Sequence, residues 1–492
     1  PMGAGKSYFC KNTLYELAKE VNGKILMLIH RSNCVEQFKY EIERDGKADV
    51  IDVRTYQSLE YGSLHNTKNQ INLSDYKYIV SDEFHYFFND SSFNNKTAIS
   101  FQMIMNSTDT IHIFMSATGE HMTRYMEKYI KENNLKEAIE YEIPFDFSFI
   151  RQLTFFHKDV TMEEFIKEGI EQGDKGIFFI QSAEKAYKLY SKYKKHCVFN
   201  CSANNKKYYK YVDEDTIKNI LKNERFEEQF LITTSCFDAG INIIDREVKH
   251  IVIDIVDIGS LIQCMGRKRI QDKEDDVNIY IKIINNQKLA GLRRSIQQKV
   301  EMADFYIKSD YSVEQLLKKY PRENDVNNIL YDVLLYDVDG NIIANSYTKK
   351  VNELMYFKKK EDILDYGIMM EEYGKFGYCK FLARIFGYFN EETGAYNYRM
   401  IKEEYELNEY LERIVQNENV FLQVKDRKEL IEKINARQDG KLLKKVSTLN
   451  QVLEEKELDY RIKQFATTRY LTDKFGNKKK KIYKHAWKVV RF

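Results

Sequence analysis

Pro1-Met2-Gly3-Ala4-Gly5-Lys6-Ser7 opens the chain and decides how the rest is read. The stretch closes on Gly-Lys-Ser, the end of the phosphate-binding pattern G-x-x-x-x-G-K-[ST]. Gly3, Ala4 and Gly5 let backbone N–H groups close around phosphate oxygens. The Lys6 ammonium reaches the outer phosphates of a nucleotide such as ATP, and the Ser7 hydroxyl ligates Mg²⁺. The pattern predicts a helix from Ser7 to Glu20 whose positive end faces the same phosphates. Its first position falls ahead of Pro1. The sequence is therefore expected to be N-terminally incomplete, with the strand before the loop and any base-reading segment lying upstream. Alone, such a loop arises by chance. A hydrolytic site also needs an acid for Mg²⁺, a base for water and a cation for the transferring phosphate.

Working outward, Tyr78-Ile79-Val80 reads as a buried strand that delivers Ser81-Asp82-Glu83-Phe84-His85 at its end. Two adjacent carboxylates suit phosphoryl transfer to water: Asp82 would hold Mg²⁺, and Glu83 would orient and deprotonate the water. A surface turn would carry the same residues, but here they end an apolar strand downstream of Gly-Lys-Ser. The strand Thr110–Met115 ends in Ser116-Ala117-Thr118-Gly119, whose hydroxyls can bond the acid pair and sense its state. Ile25–Ile29 is a short apolar run suited to a parallel strand. It is followed by His30-Arg31-Ser32-Asn33. Val50–Val53 leads into Thr55-Tyr56-Gln57-Ser58-Leu59. Open α/β sheets place ligand contacts at such C-terminal strand ends.

In this order, PMGAGKS, SDEFH and MSATG resemble motifs I, II and III of superfamily 2 helicases, the DEAD/DEAH-box relatives. DEFH departs from DEAH by Phe84 for Ala. The resemblance implies an α/β fold with two tandem RecA-like P-loop lobes, a mainly helical C-terminal region beyond them, and ATP and Mg²⁺ as cofactors. It implies a second lobe, and Gly176–Ile180 running into Gln181-Ser182 is similar to motif IV. Thr233-Thr234-Ser235 followed by Asp238, Gly240 and Asn242 resembles motif V. Gln263-Cys264-Met265-Gly266-Arg267-Lys268-Arg269 resembles motif VI, Q-x-x-G-R-x-x-R, with the last arginine one residue early. On a helix one residue is a turn of ~100°, so Arg267 is the expected arginine finger and Arg269 the second cation.

By the same resemblance, Lys6, Asp82, Glu83, Gln263, Arg267 and Arg269 are catalytic. Gly3, Ala4, Gly5, Lys6, Ser7, Asp238 and Gly240 bind ATP, and Ser7 and Asp82 hold the metal. His85, Ser116 and Thr118 couple the lobes. His30, Arg31, Thr55, Gln57, Gln181, Ser182, Thr233 and Thr234 grip nucleic acid. The implied activity is ATP-dependent unwinding or translocation, on DNA in preference to RNA. The motif VI spacing is similar to that of herpesvirus-type origin-binding helicases and of phage and plasmid enzymes, which implies phage or mobile-element replication. Duplex translocation without strand separation, RNA unwinding, and an origin-binding protein that uses ATP as a switch stay open.

The expected domains are residues 1–150 and 151–294 for the two lobes, 295–420 for an accessory region with a hairpin near 333–345, and 421–492 for a basic module. The 7 cysteines form no C-x-x-C pair. That pattern suits reduced thiols, not a disulfide frame or a zinc site. No apolar run reaches a membrane span, so no membrane partner and a cytoplasmic location are expected, the bacterial host cytoplasm for a phage enzyme. Charge is uneven: Lys425–Phe492 holds 20 lysines and arginines against 9 acids, and the remainder 57 against 66. Such a basic end suits a polyanion. Helices near Lys425–Arg437 and Leu449–Gln464, then a hairpin turning at Phe475-Gly476-Asn477-Lys478, give the layout of a winged helix. Its lysines would touch phosphate without reading sequence; a solvated charge run reads the same way. Tyr373, Phe376, Tyr378, Phe381, Phe386, Tyr388 and Phe389 are either core or a base-stacking surface.

Overall fold

The computed structural model describes residues 5–30, 32–65, 71–89, 96–136, 138–234, 242–321, 329–336, 342–401, 403–438, 441–456, 458–472 and 478–491. Gly3, Ala4, Arg31, Asp238, Gly240 and both expected hairpin turns, at 339–340 and 475–477, lie outside the described residues. The chain divides into two compact units. One comprises Pro1–Phe149, Ile166–Val277 and Arg293–Asp365; the other comprises Ile150–Phe165, Asn278–Leu292 and Tyr366–Phe492.

The first unit holds two parallel sheets in tandem, so the α/β class stands. The first sheet has the order Ile51–Thr55, Ile25–Ile29, Tyr78–Asp82, Ile111–Met115, all parallel. Every residue of Ile25–Ile29 is buried, as expected of a central parallel strand covered on both faces. Phe38 and Ile42 pack on one side of this sheet, and Tyr86, Phe87 and Phe101 on the other. The second set runs Cys197–Asn200, Phe230–Thr233, Lys175–Ile180, Val248–Asp254, again all parallel. Parallel register gathers the loops after all these strands at one edge of each sheet.

The helix after the phosphate loop is continuous from Lys6 to Glu20, but Phe9–Leu14 is wound as π-helix. Such insertions cluster at functional sites. A larger difference concerns the motif VI segment. The helix is Ile258–Met265, and it ends at Gly266. Lys268 instead forms an isolated parallel bridge with Ile243, held by Ile243 N to Arg267 O at 2.7 Å and Arg269 N to Ile243 O at 2.9 Å. The ~100° displacement expected of Arg269 from its one-residue shift on a helix therefore does not arise. In extended chain, residues two apart share a face.

In the second unit, Arg399–Met400 pairs in parallel with Ile150–Phe156. Tyr378 and Phe386 are buried core residues, 1% and 3% exposed, so neither is available for base stacking. The chain then builds a module in the order helix Glu403–Gln416, strand Val420–Phe421, helix Lys428–Ile434, helix Val446–Glu455 and strands Tyr460–Thr472 and Lys478–Arg491. Its sheet order is first strand, last strand, middle strand. This is winged-helix connectivity. One core unites it: Leu411, Ile414, Phe421, Leu430, Ile434, Leu449, Leu453, Ile462, Trp487 and Val489. Residues 460–464, expected to be helix, instead start the strand Tyr460–Thr472, in which Tyr460 and Ile462 are buried and Arg461 and Lys463 exposed. That alternation has the strand period of two, not the helical period of 3.6.

Candidate active site

Asp82 ends its strand, and the chain turns at once. Glu83 takes a left-handed φ of 49°. Phe84 N donates to Met115 O at 3.1 Å and Tyr86 N to Glu83 O at 2.8 Å, which fixes the turn. A non-glycine residue in this region is strained, and such strain gathers at sites. Here it separates the two carboxylates. Phe84, which stands where the helicase pattern has Ala, packs against Gly119: a Cβ on Gly119 would lie 2.8 Å from the Phe84 ring. The larger side chain is accommodated by the smaller one.

Gly5 has a left-handed φ of 79°, and its carbonyl accepts from Phe9 N at 2.8 Å. It sets Lys6 at the start of the helix, with Ser7 exposed beside it. Lys6 Nζ lies 3.0 Å from Glu83 Oε1. The other Glu83 oxygen faces His85 Nδ1 at 3.3 Å and accepts from Ser116 Oγ at 3.4 Å. His85 Nδ1 is also 2.7 Å from Ser116 Oγ, and Thr118 N donates to Ser116 Oγ at 3.0 Å. The second sheet reaches this cluster through Gln263. Its side-chain nitrogen lies 2.8 Å from His85 Nε2 and donates to Thr118 Oγ1 at 3.2 Å. Gln263 and His85 are only 8% and 7% exposed. His85 thus presents Nδ1 to Ser116 and Glu83 and Nε2 to Gln263.

The two acids are driven apart electrically. Burial and the neighbouring Glu83 charge push Asp82 up to about 6, with Lys6 opposing. Burial would also raise Glu83, but the hydrogen bond and charge of His85, together with Lys6, outweigh it and hold Glu83 well below the usual range. Glu83 is thus the ionised acid, while Asp82 is a carboxylate short of positive charge. Asp82 Oδ1 is buried with no hydrogen-bond partner. An orphaned carboxylate oxygen in reach of a phosphate loop fits Mg²⁺, which takes one or two protein oxygens and leaves its other positions to phosphate and water. The described residues hold no group of three or more His, Cys, Asp or Glu fit for a metal. A Ser7–Asp82 pair is the remaining donor set.

The two arginines share one face. Lys268, between them, turns inward to a buried ion pair with Asp275. Arg269 Nε donates to Asn242 Oδ1 at 2.7 Å. Burial and the adjacent Arg267 lower the Arg269 pKa, while Glu224 and Glu83 raise it, which places Arg269 within electrostatic reach of the acid pair. Arg267 Nε is buried without a partner.

The expected nucleic-acid contacts divide. Gln57 and Gln181 are exposed, and Gln181 Oε1 accepts from Val256 N at 3.2 Å. Thr55 Oγ1 is occupied by Ser58 N at 3.1 Å. Ser182 caps the helix Ala183–Lys192. Thr233 is fully buried, with its hydroxyl donating to Thr234 O at 3.2 Å, and Thr234 is 7% exposed. These two are packed inside the lobe and do not serve as a strand grip. The His30 ring packs tilted against Tyr86, with centroids 4.8 Å apart, on an aromatic layer that the motifs did not signal. In that layer Tyr56 and Tyr86 stack at 4.5 Å. Tyr56 OH donates to Asp82 O at 2.9 Å, and Tyr86 OH and Ser100 Oγ both donate to buried Glu60. The layer braces the acid turn from behind. The only hint of it was Tyr56 inside Thr55–Leu59.

A scan of the sequence against protein-family models gives no match, and a search of curated proteins gives none. Solved structures similar in arrangement include S. cerevisiae Dbp5 bound to RNA and ADP BeF3, at 17% identity and TM-score 0.40, covering 57% of this chain and 77% of that one. Another is Mss116p bound to ssRNA and AMP-PNP, at 12% and 0.42, covering 65% and 77%. A third is the Mycobacterium smegmatis helicase Lhr bound to ssDNA and AMP-PNP, at 14% and 0.40, covering 61% and 45%. Likeness at that level adds nothing to what the chain's own geometry supports.

Proposed function

We propose that the chain is an ATP-dependent superfamily 2 nucleic-acid helicase or translocase built on two RecA-like lobes, acting on DNA in preference to RNA. One observation carries the reading: Lys6, Glu83, His85 and Gln263 form a single hydrogen-bonded line from the phosphate loop to the second sheet. Lys6 leaves Glu83 for the outer phosphates when ATP enters. Glu83, freed of that cation, accepts the proton of the attacking water. Ser7 and Asp82 would hold Mg²⁺, which would supply positive charge against the phosphates. Arg267 and Arg269 meet the charge that develops on the transferring group, the arginine-finger role. Gln263 follows the state of the acid pair through His85 and Thr118, so hydrolysis is felt by the second lobe.

The preference for DNA is supported by the basic winged-helix module. A place in phage or mobile-element replication rests on the motif VI spacing alone. The test is phosphate release from Mg-ATP with single-stranded DNA, duplex DNA, forks and RNA. Wild type is expected to be stimulated most by DNA, and Lys6→Ala to lose at least ~100-fold, the scale of removing one preorganised charge contact. Near-normal turnover by Lys6→Ala sinks the site assignment. Stimulation by RNA alone reverses the substrate preference.

A further inference from the structure

The winged-helix module contains an open pocket of about 690 Å³, lined by Leu422–Lys425 and Arg427 on one side and by Gln464 and Tyr483–His485 on the other. Three consecutive residues of a regular strand cannot all line one cavity, because side chains alternate. A bulge permits it here. Phe465 pairs with Ala486 and Thr467 with Tyr483, so Lys484 and His485 together oppose Ala466. Bulges re-aim side chains, often beside binding sites.

The cavity is rich in cations that no acid neutralises. Lys425, Arg427 and Lys484 have no ion pair among the described residues, and Asp426 is turned to the Gln423 backbone N–H at 2.8 Å. Arg427 is the anchor. It is 9% exposed, its guanidinium lies 4.2 Å from the Trp487 ring, and one of its nitrogens donates to His485 O. Its Nε is buried without a partner. Burial lowers its pKa, and only Asp426 opposes that. A guanidinium held against an aromatic ring at the pocket wall suits an oxyanion, and planar recognition of phosphate is what arginine does better than lysine. His485 Nδ1 is held 2.8 Å from Gln464 Nε2, which fixes its ring at the rim.

We propose that this cavity is a phosphate-binding site separate from the ATP site, taking either a backbone phosphate of a nucleic-acid strand or the phosphates of a free nucleotide. The proposal does not rest on the helicase reading. Trp487 is the chain's 1 tryptophan, so its fluorescence reports on this place alone. The test uses the full chain carrying Lys6→Ala, which silences the phosphate loop. It is titrated with a short single strand, a short duplex, pyrophosphate and ATP. A saturable change in Trp487 emission is expected. Lys425→Ala with Lys484→Ala should weaken the response about tenfold and lower the salt slope for duplex by about 1–2, roughly 0.9 per lost phosphate contact. Lys425→Arg with Lys484→Arg should keep it. Unchanged emission of the unliganded variants verifies the fold. A response to strands alone assigns a backbone phosphate, and an equal or tighter response to pyrophosphate and ATP assigns a free one. Emission that ignores all four, or an equal response in the double alanine variant, overturns the proposal.

Discussion

Around Glu83, charges are matched by partners from far along the chain. Lys6 comes from 77 residues upstream, and Gln263 reaches His85 from 178 residues downstream. In the winged-helix module some basic groups face one another across the sheet. Lys463 stands opposite Lys488, and Arg469 opposite Lys481, across one hairpin. Like charges directly opposite each other cost stability in a sheet. The first region spends long-range contacts to fix ionisation states; the second tolerates repulsion and leaves its cations facing outward. That difference separates a site that does chemistry from a surface that awaits a polyanion.

The comparison breaks first if the long-range line proves dispensable. His85→Ala and Gln263→Ala are each expected to cut nucleic-acid-stimulated hydrolysis about 10–100-fold while nucleotide affinity changes little. Because the two side chains touch, the double variant should lose little more than either single one. Additive losses in the double-mutant cycle would mean the contact carries no coupling. A smaller effect sharpens the account of the acid pair. With its folded pKa raised to about 6, against an unfolded value near 3.9, Asp82 binds more protons folded than unfolded between those values. Stability therefore falls as pH rises through that window. Asp82→Asn should raise the melting temperature of the nucleotide-free protein, more at pH 7 than at pH 5, while abolishing hydrolysis. A variant less stable than wild type at pH 7 would show that Asp82 is not a stranded charge.

The parts of this architecture that sequence declares are those with a period or a fixed spacing. Ile25–Ile29, Tyr78–Asp82 and Lys175–Ile180 are apolar runs, and each ends in polar residues that the sheet carries to one edge. What sequence hides depends on where an element stops. Gly266 ends the motif VI helix, and that one boundary turns Arg267 and Arg269 from positions ~200° apart on a helix into residues on one face. Tertiary contact also decides roles that composition blurs. Lys268 and Arg427 look like surface charge, yet one is paired with Asp275 inside the lobe and the other stacks on Trp487. Val420–Phe421, two residues long, is too short to announce itself as a strand. The module's first helix was assigned elsewhere for that reason, and the winged-helix connectivity became visible only through its pairing with Lys488 and Trp487. The buried pair Thr233–Thr234 shows the converse: a motif position is not a contact until it reaches the surface.

The central claim is that a second lobe completes the hydrolytic site. It is tested most directly by ATP binding and phosphate release measured side by side in wild type and Arg267→Ala, with Mg²⁺ and single-stranded DNA present. The account expects the variant to bind ATP within a few-fold of wild type and to release phosphate about 10³-fold more slowly or worse, the low end of the arginine-finger effect. Turnover within threefold of wild type would contradict it.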